Sequence, residues 1–300
     1  MLIAQHGIYN SQLFPFLPVS WSQVPTSTFS TTNINCLTLS SGLYVAAGNA
    51  GKLATSPDGI SWTQRVSSFG TTTIYTVIYA AGIFVAAGSV GKLATSSNGV
   101  TWVQRTSSFG SSTILGLTYF ADAGVFVAVG GDGKLATSPD GITWTQRASS
   151  FGTSFIRGIA YKSGTLVAVG DDGKLATSAD GLTWTQRTSS FGATRIFGVA
   201  AADNKLIAYG AAGKIARSTT GITWTQGTSS FGSSDIKSVM YGSSGIYAAG
   251  GADGKIATSF DGINWTQRVS SFGATGINDI ELTGVKAVAV GDSGKIGFAV

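Results

Sequence analysis

The sequence predicts an all-β chain: a seven-bladed β-propeller of four-stranded antiparallel blades, its ring closed by an N-terminal strand that completes the last blade. Three observations carry this expectation. Tryptophan recurs at Trp21, Trp62, Trp102, Trp144, Trp184, Trp224 and Trp265, 40 to 42 residues apart. Each interval holds four short runs rich in β-branched and aromatic residues, parted by glycine-rich or Asp-Gly turns, and a period near 40 with four strands is that of a propeller blade. The chain ends are also complementary. "GKIGFAV" (294–300) stops after a third strand, whereas "SWSQV" (20–24) is a fourth strand with no third before it. Pairing them hides two otherwise open sheet edges. No long 3.6-residue apolar period supports a helical repeat instead.

Within a unit the elements follow in order. An inner strand such as "TIYTVIY" (73–79) leads through a turn to "IFVAAG" (83–88), and a glycine-rich turn then gives a third strand such as "KLATS" (52–56). A second turn, Asp58-Gly59, gives the fourth strand "SWTQR" (61–65), because glycine accepts positive φ and aspartate bonds nearby amides. The tryptophan offers a large face for packing between blades, with sugar stacking as the alternative use of that face. "SSFG" then leads into the next inner strand. The expected domains are an N-terminal arm over 1–18 and a propeller over 19–300.

At Ser56, Asp58, Gly59 and Trp62, and again at Ser138, Asp140, Gly141, Thr143 and Trp144, the chain resembles the Asp-box, or BNR-like, repeat propellers. Their pattern is roughly Ser-x-Asp-x-Gly-x-Thr-Trp on a β-hairpin. Here one residue fewer separates Asp from Gly, and Asn98 and Thr220 replace the Asp. The shortened form is similar to repeats in phage tail or receptor-binding proteins and in bacterial surface proteins. That resemblance implies a virion-associated protein.

Composition narrows the chemistry. Charged residues are 11% of the chain, and most of the 19 basic ones belong to the repeat, as glycine-lysine steps or as "QR". No Lys/Arg run exists, so nucleic acid is not an expected partner. The glycine-lysine steps at Lys52, Lys92, Lys134, Lys174, Lys214, Lys255 and Lys295 lack a P-loop continuation and open strands, which excludes nucleotide binding and leaves a lysine ring to be solvated or to attract an anionic polymer. A lone Cys36 and a lone His6 supply neither a disulfide framework nor a histidine-rich metal site, and no cofactor is expected. Residues 1–20 read as neither a secretory signal nor a membrane span. Synthesis in a cytosol is expected, followed by incorporation into a virion, with bacterial cytoplasm or cell surface as the alternative.

Candidate sites come from comparing repeat with repeat. Flanking the isoleucine of each inner strand stand Asn33/Asn35, Thr73/Tyr75, Thr113/Leu115, Phe155/Arg157, Arg195/Phe197, Asp235/Lys237 and Gly276/Asn278, which diverge while the turns stay nearly constant. Inner strands start at one end of the channel, so these side chains should crowd one rim, although loose constraint explains the same divergence. Tyr75, Phe155, Arg157, Arg195, Phe197, Asp235, Lys237 and Asn278 are the expected ligand-binding residues. Asp132, Asp171, Asp172, Asp253 and Asp292 read as formers of two-residue turns. Asp279 and Glu281, two apart on one inner strand, are the carboxylate pair worth testing as acid and base. With no other catalytic set, the expected function is non-enzymatic: binding of a host-surface glycan or of a neighbouring structural protein. The alternatives are an assembly scaffold of bacterial origin and a glycoside hydrolase or lyase. "LFPFLP" (13–18) carries too much apolar surface for a free tail, so Phe14, Phe16 and Leu17 are the expected anchor to a neighbouring subunit, with folding back over the last blade as the other use.

Overall fold

Ile34, Ile74, Ile114, Ile156, Ile196, Ile236 and Ile277 are fully buried. Each opens the inner strand of a four-stranded antiparallel sheet, seven sheets in all among residues 20–300, the part of the chain that the computed structural model describes. The inner strands are Ile34–Ser40 in blade 1, Ile74–Ala80 in blade 2, Ile114–Phe120 in blade 3, Ile156–Lys162 in blade 4, Ile196–Ala202 in blade 5, Ile236–Tyr241 in blade 6 and Ile277–Leu282 in blade 7. The arm residues Phe14, Phe16 and Leu17 lie outside the described residues.

The ring closes as the chain ends require. Ser22–Gln23 lies beside Ile296–Ala299, with Ser22 opposite Phe298 and Gln23 opposite Gly297, and the Val24 amide donates to the Ile296 carbonyl at 2.9 Å. No described helix is long and apolar enough to cross a membrane.

The core lies in the seams between blades. In the closing seam Tyr44, Ala46 and Trp62 of blade 1 pack against Val288, Val290 and Ile296 of blade 7, and equivalent clusters fill the other seams. Burying an aliphatic or aromatic side chain in such a cluster contributes about 1.5–3 kcal/mol. Trp62, Trp102, Trp144 and Trp265 are all buried here, which makes them packing residues and not sugar platforms.

The Asp-Gly turn is a small hydrogen-bond cage. Asp58 Oδ1 accepts from the Ile60 and Ser61 amides at 2.8 and 2.7 Å, Ser56 Oγ accepts from the Gly59 amide at 2.8 Å, and Trp62 Nε1 donates to the Gly59 carbonyl at 3.1 Å. Gly59 has φ +74°, the left-handed region where a Cβ is costly. The amide bonds outweigh the effect of burial and hold the Asp58 carboxyl down at about 2. Asn98 keeps both amide contacts, whereas Thr220 Oγ1 keeps only the Ile222 amide, at 3.2 Å. Thr220→Asp is therefore expected to stabilise the fold by about 1 kcal/mol, read as a raised urea midpoint at unchanged slope.

The other repeated turn departs from expectation. It is not a two-residue hairpin but a three-residue turn of 3-10 helix, as at Asn49–Gly51, with positive φ at Ala50 and Gly51. A Cβ on Gly51 would stand 2.1 Å from the Gly70 carbonyl oxygen, so only glycine fits the third position. Asp132, Asp172 and Asp253 occupy the second position and accept from the hydroxyls of Ser112, Ser154 and Ser234.

The lysine ring is also not a free surface feature. Lys52 Nζ donates to the Phe29 carbonyl at 2.8 Å, and the other six lysines do the same to Phe69, Phe109, Phe151, Phe191, Phe231 and Phe272. Those phenylalanines are buried plugs of the loops entering each blade. Each loop is held from its other side too, as where Ser67 Oγ donates to the Gly51 carbonyl.

Candidate functional site

One irregularity repeated seven times builds the mouth of the channel. Pairing between the first and second strands of blade 1 jumps from Ile34↔Gly48 to Cys36↔Ala47, leaving Asn35 without a partner on the ladder. The same bulge falls at Tyr75, Leu115, Arg157, Phe197, Lys237 and Asn278. A bulge bends its strand and re-aims a side chain. Here it turns one residue from every blade toward a shared mouth of about 320 Å³. The same seven residues also line a cavity of about 210 Å³ that continues below, past Gly116, Gly158, Gly198 and Tyr209 to Cys36, Thr76 and Asp279.

Five of the eight expected ligand residues, Tyr75, Arg157, Phe197, Lys237 and Asn278, thus meet at the mouth, joined by Asn35 and Leu115. The other three lie on the outer rim, two positions earlier in the chain, against the three-residue turn of the preceding blade. Asp235 accepts from the Ala212 amide at 3.1 Å, Phe155 packs over Gly131, and Arg195 donates to Asp171 at 2.7 Å. Asn33 does likewise, accepting from the Ser293 amide at 3.0 Å. These residues stitch blade to blade and frame the mouth without lining it.

The first residue of the three-residue turns holds several of these side chains in place. Asn35 Nδ2 donates to Asn49 Oδ1 and to the Ile74 carbonyl, both at 2.9 Å. Asn278 Nδ2 donates in the same way to Asp292 Oδ1 and the Ile34 carbonyl, so each amide bridges to the next blade. Arg157 grips Asp171 with two nitrogens, and Arg195 shares that carboxylate. Burial opposes ionisation of Asp171, but the two guanidinium groups more than offset it and hold its pKa below the ordinary value. Arg157 also stands 5.6 Å from the Phe155 ring centre, and Arg195 5.8 Å from that of Phe197, within cation-π range. Lys237 Nζ donates to Asn278 Oδ1 at 2.8 Å and stands 3.6 Å from Asp292. Asp171 and Asp292 are therefore more than turn formers: they fix the ring residues.

Beneath the ring, Asp279 accepts from the Leu37 amide of blade 1 at 2.9 Å, from Ser238 Oγ of blade 6 at 2.8 Å and from the Ile280 amide. One carboxylate so joins three blades. Enclosure by the inner strands nonetheless pushes its pKa up to about 6, and pushes Glu281, further down the strand, to about 8 with the Asp279 charge as second cause. Asp279 lines the cavity while Glu281 does not, so the two do not flank a common substrate space as an acid and base require. Burial also raises the Cys36 thiol, which removes it as a nucleophile. Among the described residues no group of three or more His, Cys, Asp or Glu is placed to hold a metal.

Comparison with known proteins agrees with this architecture. A family described as the DUF6242 beta propeller domain matches residues 125–227, about a third of the chain. No curated protein matches the sequence. Among solved structures, virginiamycin B lyase from Staphylococcus aureus superposes with a TM-score of 0.84 at 13% identity, covering 94% of this chain and 99% of that one. YCF48 from Cyanidioschyzon merolae gives 0.72 at 16% identity over 93% and 98%, and YCF48 bound to D1 peptide gives 0.72 at 18% over 95% and 96%. At such identities the likeness shows the fold alone, and it spans binding proteins and an enzyme alike.

Proposed function

We propose that this protein is a non-catalytic recognition propeller, a structural component of a virion such as a phage tail, whose channel mouth takes a segment of a neighbouring structural protein. The observation that carries the reading is the bulge: seven blades repeat nearly everything else, yet together they aim six kinds of side chain at one mouth. Tyr75, Leu115 and Phe197 supply apolar contact, and the amides of Asn35 and Asn278 with Arg157 and Lys237 supply fixed polar contact, the mixture that orients a bound chain. A similar fold with a bound peptide is known in YCF48. The resemblance to phage tail repeats supports the virion setting, with the arm at Phe14, Phe16 and Leu17 as the anchor to a neighbouring subunit. A lyase reading has less support, because a histidine-to-alanine form of the virginiamycin B lyase is described as catalytically inactive and residues 20–300 here contain no histidine.

A surface glycan is the second reading, favoured by the exposed rings of Tyr75 and Phe155, at 38% and 39%. A peptide array covering the structural proteins encoded beside this gene, run with a glycan array, separates the two. Binding to peptides that falls at least tenfold in Tyr75→Ala/Phe197→Ala is the expected result. Peptide binding unaltered by that double change, or none at all, would overturn the reading, and glycan binding lost in the same variant would replace it with the second.

A further inference from the structure

The charges along the channel are not evenly matched. At the mouth and rim the cations Arg157, Arg195 and Lys237 stand among the carboxylates Asp171, Asp235 and Asp292, with Asp132, Asp172 and Asp253 on the same set of turns. Asp171 holds both arginines and Asp292 holds the lysine, so each of these cations already has its counter-charge. Below the mouth the balance fails. Asp279 faces the cavity with only neutral donors around it, the Leu37 and Ile280 amides and the Ser238 hydroxyl. Glu281, next along the same strand face, has no hydrogen-bond or ion-pair partner among the described residues. No lysine or arginine among them reaches either carboxylate.

The opposite wall at this depth carries no charge: its inner strands present glycines, and the Tyr209 hydroxyl lies against Gly198. Gly116, Gly158 and Gly198 line the cavity at the level of Asp279, where the other blades carry Cys36, Thr76 and Ser238. A Cβ on Gly158 would stand 2.8 Å from the Gly198 Cα, so the inner strands of blades 4 and 5 approach closely and send no side chain inward there. The seven mouth residues line both the mouth and this lower cavity, which makes one continuous passage from solvent to the carboxylate.

We propose that the bound segment carries a basic side chain, which passes the Asn35–Asn278 ring and sets its ammonium or guanidinium group against Asp279. The inference rests on the mouth being a recognition site and adds what that site selects. An enclosed carboxylate without a counter-charge is costly, and a partner's cation supplies the missing charge where water competes least. The enclosure that raises the Asp279 pKa to about 6 acts in the same direction, since a cation in the cavity would restore the ionised form. An entrance whose cations are already paired lets a further cation through, while the uncompensated Asp279 carboxylate beneath it discriminates against an acidic residue.

The test uses the whole protein and two probes: a Gly-Ser nonapeptide with one central arginine, and the same peptide with citrulline, which keeps the shape and loses the charge. NMR titration at pH 7.5 is expected to show the arginine peptide binding at least tenfold tighter. Asp279→Asn, which retains the shape of the carboxylate, should cut that preference below threefold, and Glu281→Gln, which lies outside the cavity lining and is mostly protonated at this pH, should leave it within twofold. Equal binding of the two peptides to the wild-type protein, or binding of neither, overturns the proposal whether or not the Asp279 variant folds. Partner peptides that lose affinity in Tyr75→Ala/Phe197→Ala but show no preference for a basic residue would sink this inference and leave the mouth as the recognition site. An arginine preference that survives that double change would instead place the cation site in the channel and remove the ring from recognition.

Discussion

Deletion of residues 1–24 is expected to abolish the cooperative thermal transition of the intact protein and to produce aggregates on size-exclusion chromatography. The truncation removes Ser22–Gln23 and the Val24 amide from the edge of Ile296–Ala299, and with them Val24, which is buried in the closing seam. An apolar strand edge is then open to other chains, and blade 7 loses its outermost strand. The pairing is only two residues long, yet it is the bond between the two ends of a ring, so its loss acts on every seam that depends on the ring staying shut. A soluble truncated protein with the melting temperature of the intact one would show that the closing strand contributes nothing.

The second large effect is a stability that rises as pH falls from 8 toward 5. Asp279 stands at about 6 and Glu281 at about 8, both above the ordinary range because the inner strands enclose them. The groups around them are the Cys36 thiol, the Ser238 hydroxyl, and Tyr44 and Tyr209, whose own pKa values are raised first by burial and then by these charges. Between the unfolded value near 4 and the folded one, the folded protein binds the extra proton, so stability is greatest below that window and is lost as pH rises through it. For Glu281 the window runs from about 4.3 to about 8 and the whole effect is on the order of 3 kcal/mol, discounted for the water that reaches the channel. Asp58 and Asp180, held at about 2, work the other way below pH 4 and set the lower limit of the stable range. Glu281→Gln should raise the urea midpoint at pH 8.5 and flatten the profile between pH 5 and 8. A profile that rises with pH over that interval, or one that the substitution leaves unchanged, would refute the assignment.

The blades were legible because their determinants are local. Ser56, Asp58, Gly59 and Trp62 bond within one hairpin, so a single repeat already contains the reason for its own turn. The seam packing of the tryptophans and the strand from Ser22 followed from the same repeat, since each blade must bury a face and the last lacks a strand. The mouth was legible only in part. Variation marked both columns beside each isoleucine, but the bulge that sends Arg157 inward and leaves Asp235 on the rim is a property of strand pairing and leaves no trace in residue type. Asp171 and Asp292 looked like turn residues because they are also that. What distinguishes them is the residue 14 positions earlier in the same blade: Asn35 has Asn49, Arg157 has Asp171 and Asn278 has Asp292, whereas Tyr75 and Phe197 have Ser89 and Ala211. A comparison of those two columns within the one chain would have found the support.

The position that carries the mouth is also the position the sheet uses least. Asn35 and its six counterparts sit where the ladder skips a residue, so exchanging any of them leaves the register of its blade intact. The neighbouring isoleucines, sealed at 0% exposure, have no such latitude. A lineage that needs to follow a changing partner can therefore revise the mouth one blade at a time, testing each letter separately against a frame that stays stable throughout. Duplication of a blade would have supplied the frame, and the skipped residue supplies the place where the copies were free to become different from one another.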